Sequence, residues 1–365
     1  MPNPKPSRKN LLIAFDAFGT LFTPRAPIGA LYGEIARKHG ICNDVSDEEI
    51  MRSFKRVTWR IVDEDGNMRL TINPNGNAAY KHNAKERPNF GKEVGMDPTA
   101  WWSSQSPESA APPTLPHRLV PDLLTRFASR DGYMLYDDVI PLFASLRAAR
   151  SHSRSPNPTT TTATKHRKIV TAVLTNSDDR VAGILRSFGL RVGHTDPKVV
   201  EEVAVASAKV GQEQAIATPP PPPPPPTTMT MLKNEDVEAL GENDIDFVLT
   251  SYDCGYEKPH RAIFDAARRL AAARYAGDGA GEVGKETGRE DEDVGEWEAV
   301  YVGDEVDKDV VGAENAGWEL AFLVDREGLV RDAGGVVRRH DVGGEGEQEV
   351  RILRDLKELK RYVLS

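Results

Sequence analysis

The chain has 365 residues, with 47 Lys and Arg against 56 Asp and Glu and a formal net charge of −9. That balance argues against nucleic acid as the main partner, because phosphate backbones need clustered basic residues. Two distant cysteines, Cys42 and Cys254, lack metal-ligand spacing and fit a reducing compartment, and no apolar run is long enough to cross a membrane, so the expected location is cytoplasmic, with the nucleus as the alternative.

Residues 1–10, "MPNPKPSRKN", read as a disordered tail. The first strand is expected at "LLIAF" (11–15), and later strands at "IVTAVLT" (169–175), "FVLTS" (247–251), "AVYVG" (299–303) and "LAFLV" (320–324). Each is a near-continuous apolar run, as in a parallel sheet covered on both faces. Helical patterns lie between them, at 179–189, 260–275 and 310–317. Strands alternating with helices predict an α/β fold with a doubly wound, Rossmann-like parallel sheet. Residues 25–135 carry helical patterns without a matching strand series; "PIGALYGEIARKHG" (27–40) starts on a proline suited to a helix start. The expected division is therefore a core of 11–24 and 136–365 with a helical segment, 25–135, inserted after the first strand. Low-complexity inserts are expected near 151–168, 196–243 and 276–297. The second holds eight consecutive prolines, Pro219–Pro226, extended enough to offer an SH3 or WW groove a ligand. Asp137 and Asp138 read as an N-cap before an apolar-periodic run. Trp101, Trp102 and Phe90 read as packing anchors.

Ligands of an open parallel sheet gather beyond the carboxyl ends of its strands. There the sequence places Asp16, then Thr175 and Asn176, then a loop ending in Lys258 and Pro259, then Gly303, Asp304 and, five residues on, Asp309. Taken singly these are a cap, a helix start and a solvated loop.

As an ordered set, "FDAFGTLF" (15–22), "VLTNSD" (173–178), "YEKP" (256–259) and "VYVGDEVDKDVVGAENAG" (300–317) resemble the four motifs of the haloacid dehalogenase-like (HAD) hydrolase superfamily. Within the inserted helices, "RPNFGKEVGMDPTAWW" (87–102) resembles the haloacid dehalogenase-like hydrolase domain-containing protein 3 group and its fungal relatives. The resemblance implies that 25–135 is a C1-type cap and that Asp16 is a nucleophile. It further implies that Thr175, with Asn176 beside it, binds the transferring group, and that Lys258 is a mobile point charge balancing Asp16. Asp16, Asp304 and the main-chain carbonyl of Phe18 would bind Mg²⁺, with Asp309 holding Lys258 or a metal-bound water. A small phosphorylated substrate follows, and neither a nucleic acid nor a membrane partner is expected. The charge count supports a cation independently: three carboxylates and one ammonium leave the pocket near −2 and would otherwise repel.

Phe18 departs from the pattern. The superfamily's phosphatases carry a second Asp there, which protonates the leaving oxygen and activates water. Phe can do neither, and losing such help costs ~10²–10⁴-fold in rate. The leading expectation is therefore a slow Mg²⁺-dependent phosphatase. The alternatives are a catalytically weak or inactive binding or regulatory protein and a 2-haloacid dehalogenase. Dehalogenases of the superfamily tolerate an aromatic at this position but are metal-free and lack the leading Asp of the fourth motif. Arg25, Arg37 and Arg52 are halide-site candidates by location only.

Overall fold

The computed structural model describes residues 9–60, 70–72, 78–80, 116–153, 166, 168–194, 200, 243–276, 297–328, 336–340 and 347–364. The tail 1–8, Phe90, Trp101, Trp102, the stretch 87–102 and Pro219–Pro226 lie outside them. The chain divides into two compact units, Met1–Phe22 with Leu135–Ser365, and Thr23–Met134.

The larger unit is built on a seven-stranded sheet in the order β10-β11-β9-β8-β1-β6-β7. Its strands are β1 (Asn10–Phe15), β6 (Ile169–Thr175), β7 (Phe247–Thr250), β8 (Trp297–Gly303), β9 (Leu320–Val324), β10 (Val336–His340) and β11 (Glu347–Leu353). All pairings are parallel except β10 with β11. The doubly wound α/β expectation holds. Every residue of β1 and of β6 is buried, as their uninterrupted apolar runs require. Asn10, assigned to the tail, is the first residue of β1. β7 ends one residue early because the Thr250 hydroxyl turns to accept the Asp253 amide at 3.0 Å, capping the short helix Ser251–Cys254.

Helix Arg261–Ala276 covers one face through Ile263, Phe264, Ala266, Ala267, Leu270 and Ala271. Helix Val139–Ser153 extends into the first expected insert, and at its far end His166 is buried with Nε2 3.1 Å from Glu298. Asp138 stands just before this helix, yet its carboxylate faces away from a capping role: Oδ2 accepts Arg326 at 2.5 Å and the Leu356 amide at 2.6 Å. β10 and β11 went unexpected, since "VVRRH" and "EQEVRIL" mix charge into their apolar positions.

One buried polar cluster ties the helix Val139–Ser153 to the sheet. Arg150 reaches Asp246 at 3.0 Å and also bonds Thr171 and the Asn243 carbonyl; Asp246 Oδ2 accepts the Thr171 amide at 2.8 Å. The Asp246 side chain is fully buried. Removing one partner leaves an uncompensated charge, so Asp246→Ala is expected to lose ~3–5 kcal/mol in urea unfolding. The double replacement Arg150→Met with Asp246→Leu should cost less than that single change, which is the check on the mechanism.

The second unit contains helices Ile28–Lys38, Asp47–Arg60 and Leu119–Phe127 and the strand pair β3 (Leu70–Ile72) and β4 (Ala78–Tyr80). It is thus not wholly helical. Arg126 holds Glu34 through two bonds of 2.7 Å, and the Tyr32 and Phe127 rings lie 4.7 Å apart, joining the first and last of these helices. Arg25 and Arg37 are engaged inside this unit, with the Arg130 carbonyl and with Asp47. Among the described residues no helix is long and apolar enough to cross a membrane.

Candidate active site

The chain runs from β1 to β6 and β7 on one side, then crosses back to β8 and β9 on the other, so β1 and β8 flank the switch point of the sheet. Their register pairs Phe15 with Val302, and the Asp16 amide donates to the Val302 carbonyl at 2.8 Å. Asp16 and Asp304 therefore leave adjacent strand ends into the same crevice. Carboxylate oxygens of Asp16, Asp304 and Asp309 all lie within 4.8 Å of one another.

Lys258 joins this cluster from the loop after β7. Its Nζ lies 2.7 Å from Asp16 Oδ1, 2.6 Å from Asp309 Oδ1 and 2.9 Å from the Tyr301 hydroxyl. An ammonium has three hydrogens, and these three acceptors take them all. In this structure the Lys258 charge is therefore fully engaged. Burial works against its charge, but Asp16 and Asp309 overcome that and hold it well above the ordinary lysine range.

Two glycines let the carboxylates come together. Gly19 has φ +74°, and a Cβ there would lie 2.0 Å from Asp304 Oδ2, so Asp304 rests against backbone one residue after Phe18. A Cβ on Gly303 would lie 2.2 Å from Asp309 Cγ. Asp309 lies in a π-helical turn, Val306–Val311. Its Oδ2 accepts the Glu305 amide at 2.9 Å, so both oxygens have partners inside the chain. Burial, then Asp16 and Asp309, push Asp304 up to about 8; burial foremost also raises Asp16. An all-oxygen set that carries surplus negative charge fits a hard divalent cation held by Asp16 and Asp304, with Asp309 adding charge behind them.

Thr175 closes β6, buried, and among the described residues its hydroxyl has no hydrogen-bond partner, which leaves it available to a ligand. The Asn176 side chain is engaged within the chain. Its amide donates to the Lys258 carbonyl at 2.9 Å and its Oδ1 accepts the Lys258 amide at 2.7 Å, gripping the main chain that carries the lysine. The Phe18 ring stands edge-on to Phe22 with centroids 4.8 Å apart. The sequence reading missed Tyr301, whose hydroxyl meets Lys258 and donates to the Leu174 carbonyl at 2.9 Å. The only available signal was a hydroxyl inside an otherwise apolar run.

Glu257, next to Lys258, was missed as well. Burial raises its carboxyl to about 7, with Lys308 opposing. A carboxyl whose folded value exceeds its unfolded one binds more protons when folded. Its contribution to stability is full below its ordinary value of 4.5 and is lost as pH rises through about 7. Glu257→Gln should therefore match wild type in unfolding free energy at pH 4 and exceed it by a few kcal/mol at pH 8. Parallel wild-type and variant curves across that range would show that Glu257 is not held in this state.

The profile of the HAD-hydrolase-like family matches residues 255–359, a span that includes Lys258, Asp304 and Asp309. A Schizosaccharomyces pombe protein described only as an uncharacterized hydrolase is 22% identical over 315 residues, covering 86% of this chain and 91% of that protein. Over its C-terminal third the chain is thus similar to the HAD-hydrolase-like family, in line with the superfamily that its four motifs resemble. Among solved structures, a HAD phosphatase from Thermococcus onnurineus aligns over 96% of both chains with 18% identity and a TM-score of 0.40. A 2-haloacid dehalogenase from Pseudomonas syringae aligns over 88% of this chain and 90% of its own with 15% identity and a TM-score of 0.37. Likenesses at this level say nothing about which chemistry this site performs.

Proposed function

We propose that this protein is a Mg²⁺-dependent hydrolase of small phosphorylated compounds, with Asp16 as its nucleophile. The observation that carries the reading is the convergence of Asp16, Asp304 and Asp309 oxygens within 4.8 Å, with Lys258 bridging the first and third. Asp16, Asp304 and the Phe18 carbonyl would hold Mg²⁺, which neutralises charge on the transferring group when bound. Asp16 attacks phosphorus, forming an aspartyl O–P bond while the leaving group departs with the electron pair of its own P–O bond. Water then releases inorganic phosphate and returns the carboxylate. Thr175 offers its hydroxyl to a phosphoryl oxygen, and Lys258 supplies positive charge beside the reacting oxygen. The all-oxygen acidic set disfavours a metal-free dehalogenase.

Phe18 supports a second reading, a protein that binds metal and phosphate without turnover. Hydrolysis of para-nitrophenyl phosphate by the full chain, with Mg²⁺ against EDTA, separates the two. Turnover that needs Mg²⁺ is expected; Mg²⁺ binding by calorimetry with no turnover would hand the site to the second reading.

A further inference from the structure

Resting on Asp16 as the nucleophile, we propose that Tyr301 is the positioning residue that retains the Lys258 ammonium in the site once Asp16 has reacted. All three hydrogens of that ammonium are committed, to Asp16, Asp309 and Tyr301. In this state Lys258 has none to offer a phosphoryl oxygen. When the Asp16 oxygen bonds to phosphorus and the leaving group takes the P–O electron pair, the carboxylate becomes an ester and gives up its negative charge. The Lys258 hydrogen on Asp16 then faces only a neutral oxygen and can turn toward the phosphoryl oxygens, which leaves Asp309 and Tyr301 as the anchors of the ammonium. A lysine head on a flexible stem is aimed by two anchors but swings about one.

Tyr301 is built for that hold. It is fully buried, with its ring 5.3 Å from Phe264 and 5.7 Å from Trp318, both edge-on. Its hydroxyl accepts from Lys258 and donates to the Leu174 carbonyl, one residue before Thr175. Burial pushes its phenol well above the ordinary range, so the donor stays a neutral hydroxyl. The end of β6 thus grips Lys258 twice, at its main chain through Asn176 and at its charge through Tyr301.

The decisive experiment records the ammonium signal of Lys258 by ¹H–¹⁵N correlation in ¹⁵N-lysine-labelled full-length protein in EDTA, assigned by its loss in Lys258→Arg. Wild type, Tyr301→Phe and Asp16→Ala each keep at least two anchors and should show the signal. Asp16→Ala with Tyr301→Phe keeps one and should lose it to exchange with water. In parallel, Tyr301→Phe retains the ring and should lower kcat on para-nitrophenyl phosphate roughly 10- to 100-fold, the worth of a hydrogen bond to a charged group. KM should change little, because Asp16 and Asp309 still hold Lys258 before reaction. A signal that persists in the double variant, a signal absent from wild type, or an unchanged kcat overturns the proposal. A wild type without turnover defeats the hydrolase reading instead, and the ammonium signal alone then decides Tyr301.

Discussion

Asp16→Asn is expected to reduce Mg²⁺-dependent hydrolysis of para-nitrophenyl phosphate by ~10⁴-fold or more. An amide of the same shape cannot form the aspartyl ester, so the change removes the reaction and not merely a contact. It leaves the surroundings nearly intact. The Asn Oδ1 can still accept from Lys258, whose other two partners, Asp309 and Tyr301, are untouched. Losing one of three crowded carboxylates also relieves Asp304, which Asp16 helps push up to about 8. The melting temperature of Asp16→Asn in EDTA should therefore be no lower than that of wild type by more than a few degrees, while steady-state rate collapses. A variant that retains wild-type turnover would place the chemistry on another group and remove Asp16 from the mechanism.

What could be read without coordinates follows from where each signal resides. β1, β6 and β8 are apolar runs because both their faces are covered, and a run that stops marks the strand end where a sheet of this kind places its ligands. Asp16, Thr175 and Asp304 stand at those ends. Their mutual approach is not written in the runs; it needs the register of Phe15 with Val302 and the bare Gly19 against which Asp304 rests. Tyr301 is hidden because it occupies a core position, and its hydroxyl acquires meaning only when β8 lies beside β1 and Lys258 arrives from a loop 43 residues earlier. Asn176 reads as one more polar residue at a strand end; the reciprocal bonds to Lys258 that fix its task join positions 82 residues apart. The π-helical turn at Val306–Val311 leaves no periodicity of its own in six residues, and Asp309 on it lies against Gly303. The mixed charge of β10 and β11 hides strands whose pairing, not apolarity, defines them.

Phe18→Asp is expected to raise kcat on an alkyl or sugar phosphate by ~10²–10⁴-fold, the range that general acid–base help commands, while changing the rate on para-nitrophenyl phosphate far less. The contrast follows from the leaving group. An alkoxide needs a proton as it departs, whereas para-nitrophenolate leaves as a stable anion. Phe18 has no proton to give, so only the first substrate should feel the new carboxyl. The position can take the change because the Phe18 ring is only partly buried, and its edge-on pairing with Phe22 is worth about 0.5–1.5 kcal/mol beyond its area. The main-chain carbonyl proposed for the metal is the same in both proteins, so Mg²⁺ affinity measured by calorimetry should hold. The ratio of the two substrates is thus the readout, and it is insensitive to a modest loss of folded protein. Equal effects on both substrates would mean that the substitution acts through the loop around Gly19 and Asp304. No gain on either, with wild type already turning over the alkyl phosphate, would mean that another group supplies the proton and that Phe18 does not limit the reaction. A wild type silent on both substrates and a Phe18→Asp variant active on the alkyl phosphate would identify a HAD pocket complete except for its proton donor, and would favour binding without turnover as the role of the native chain.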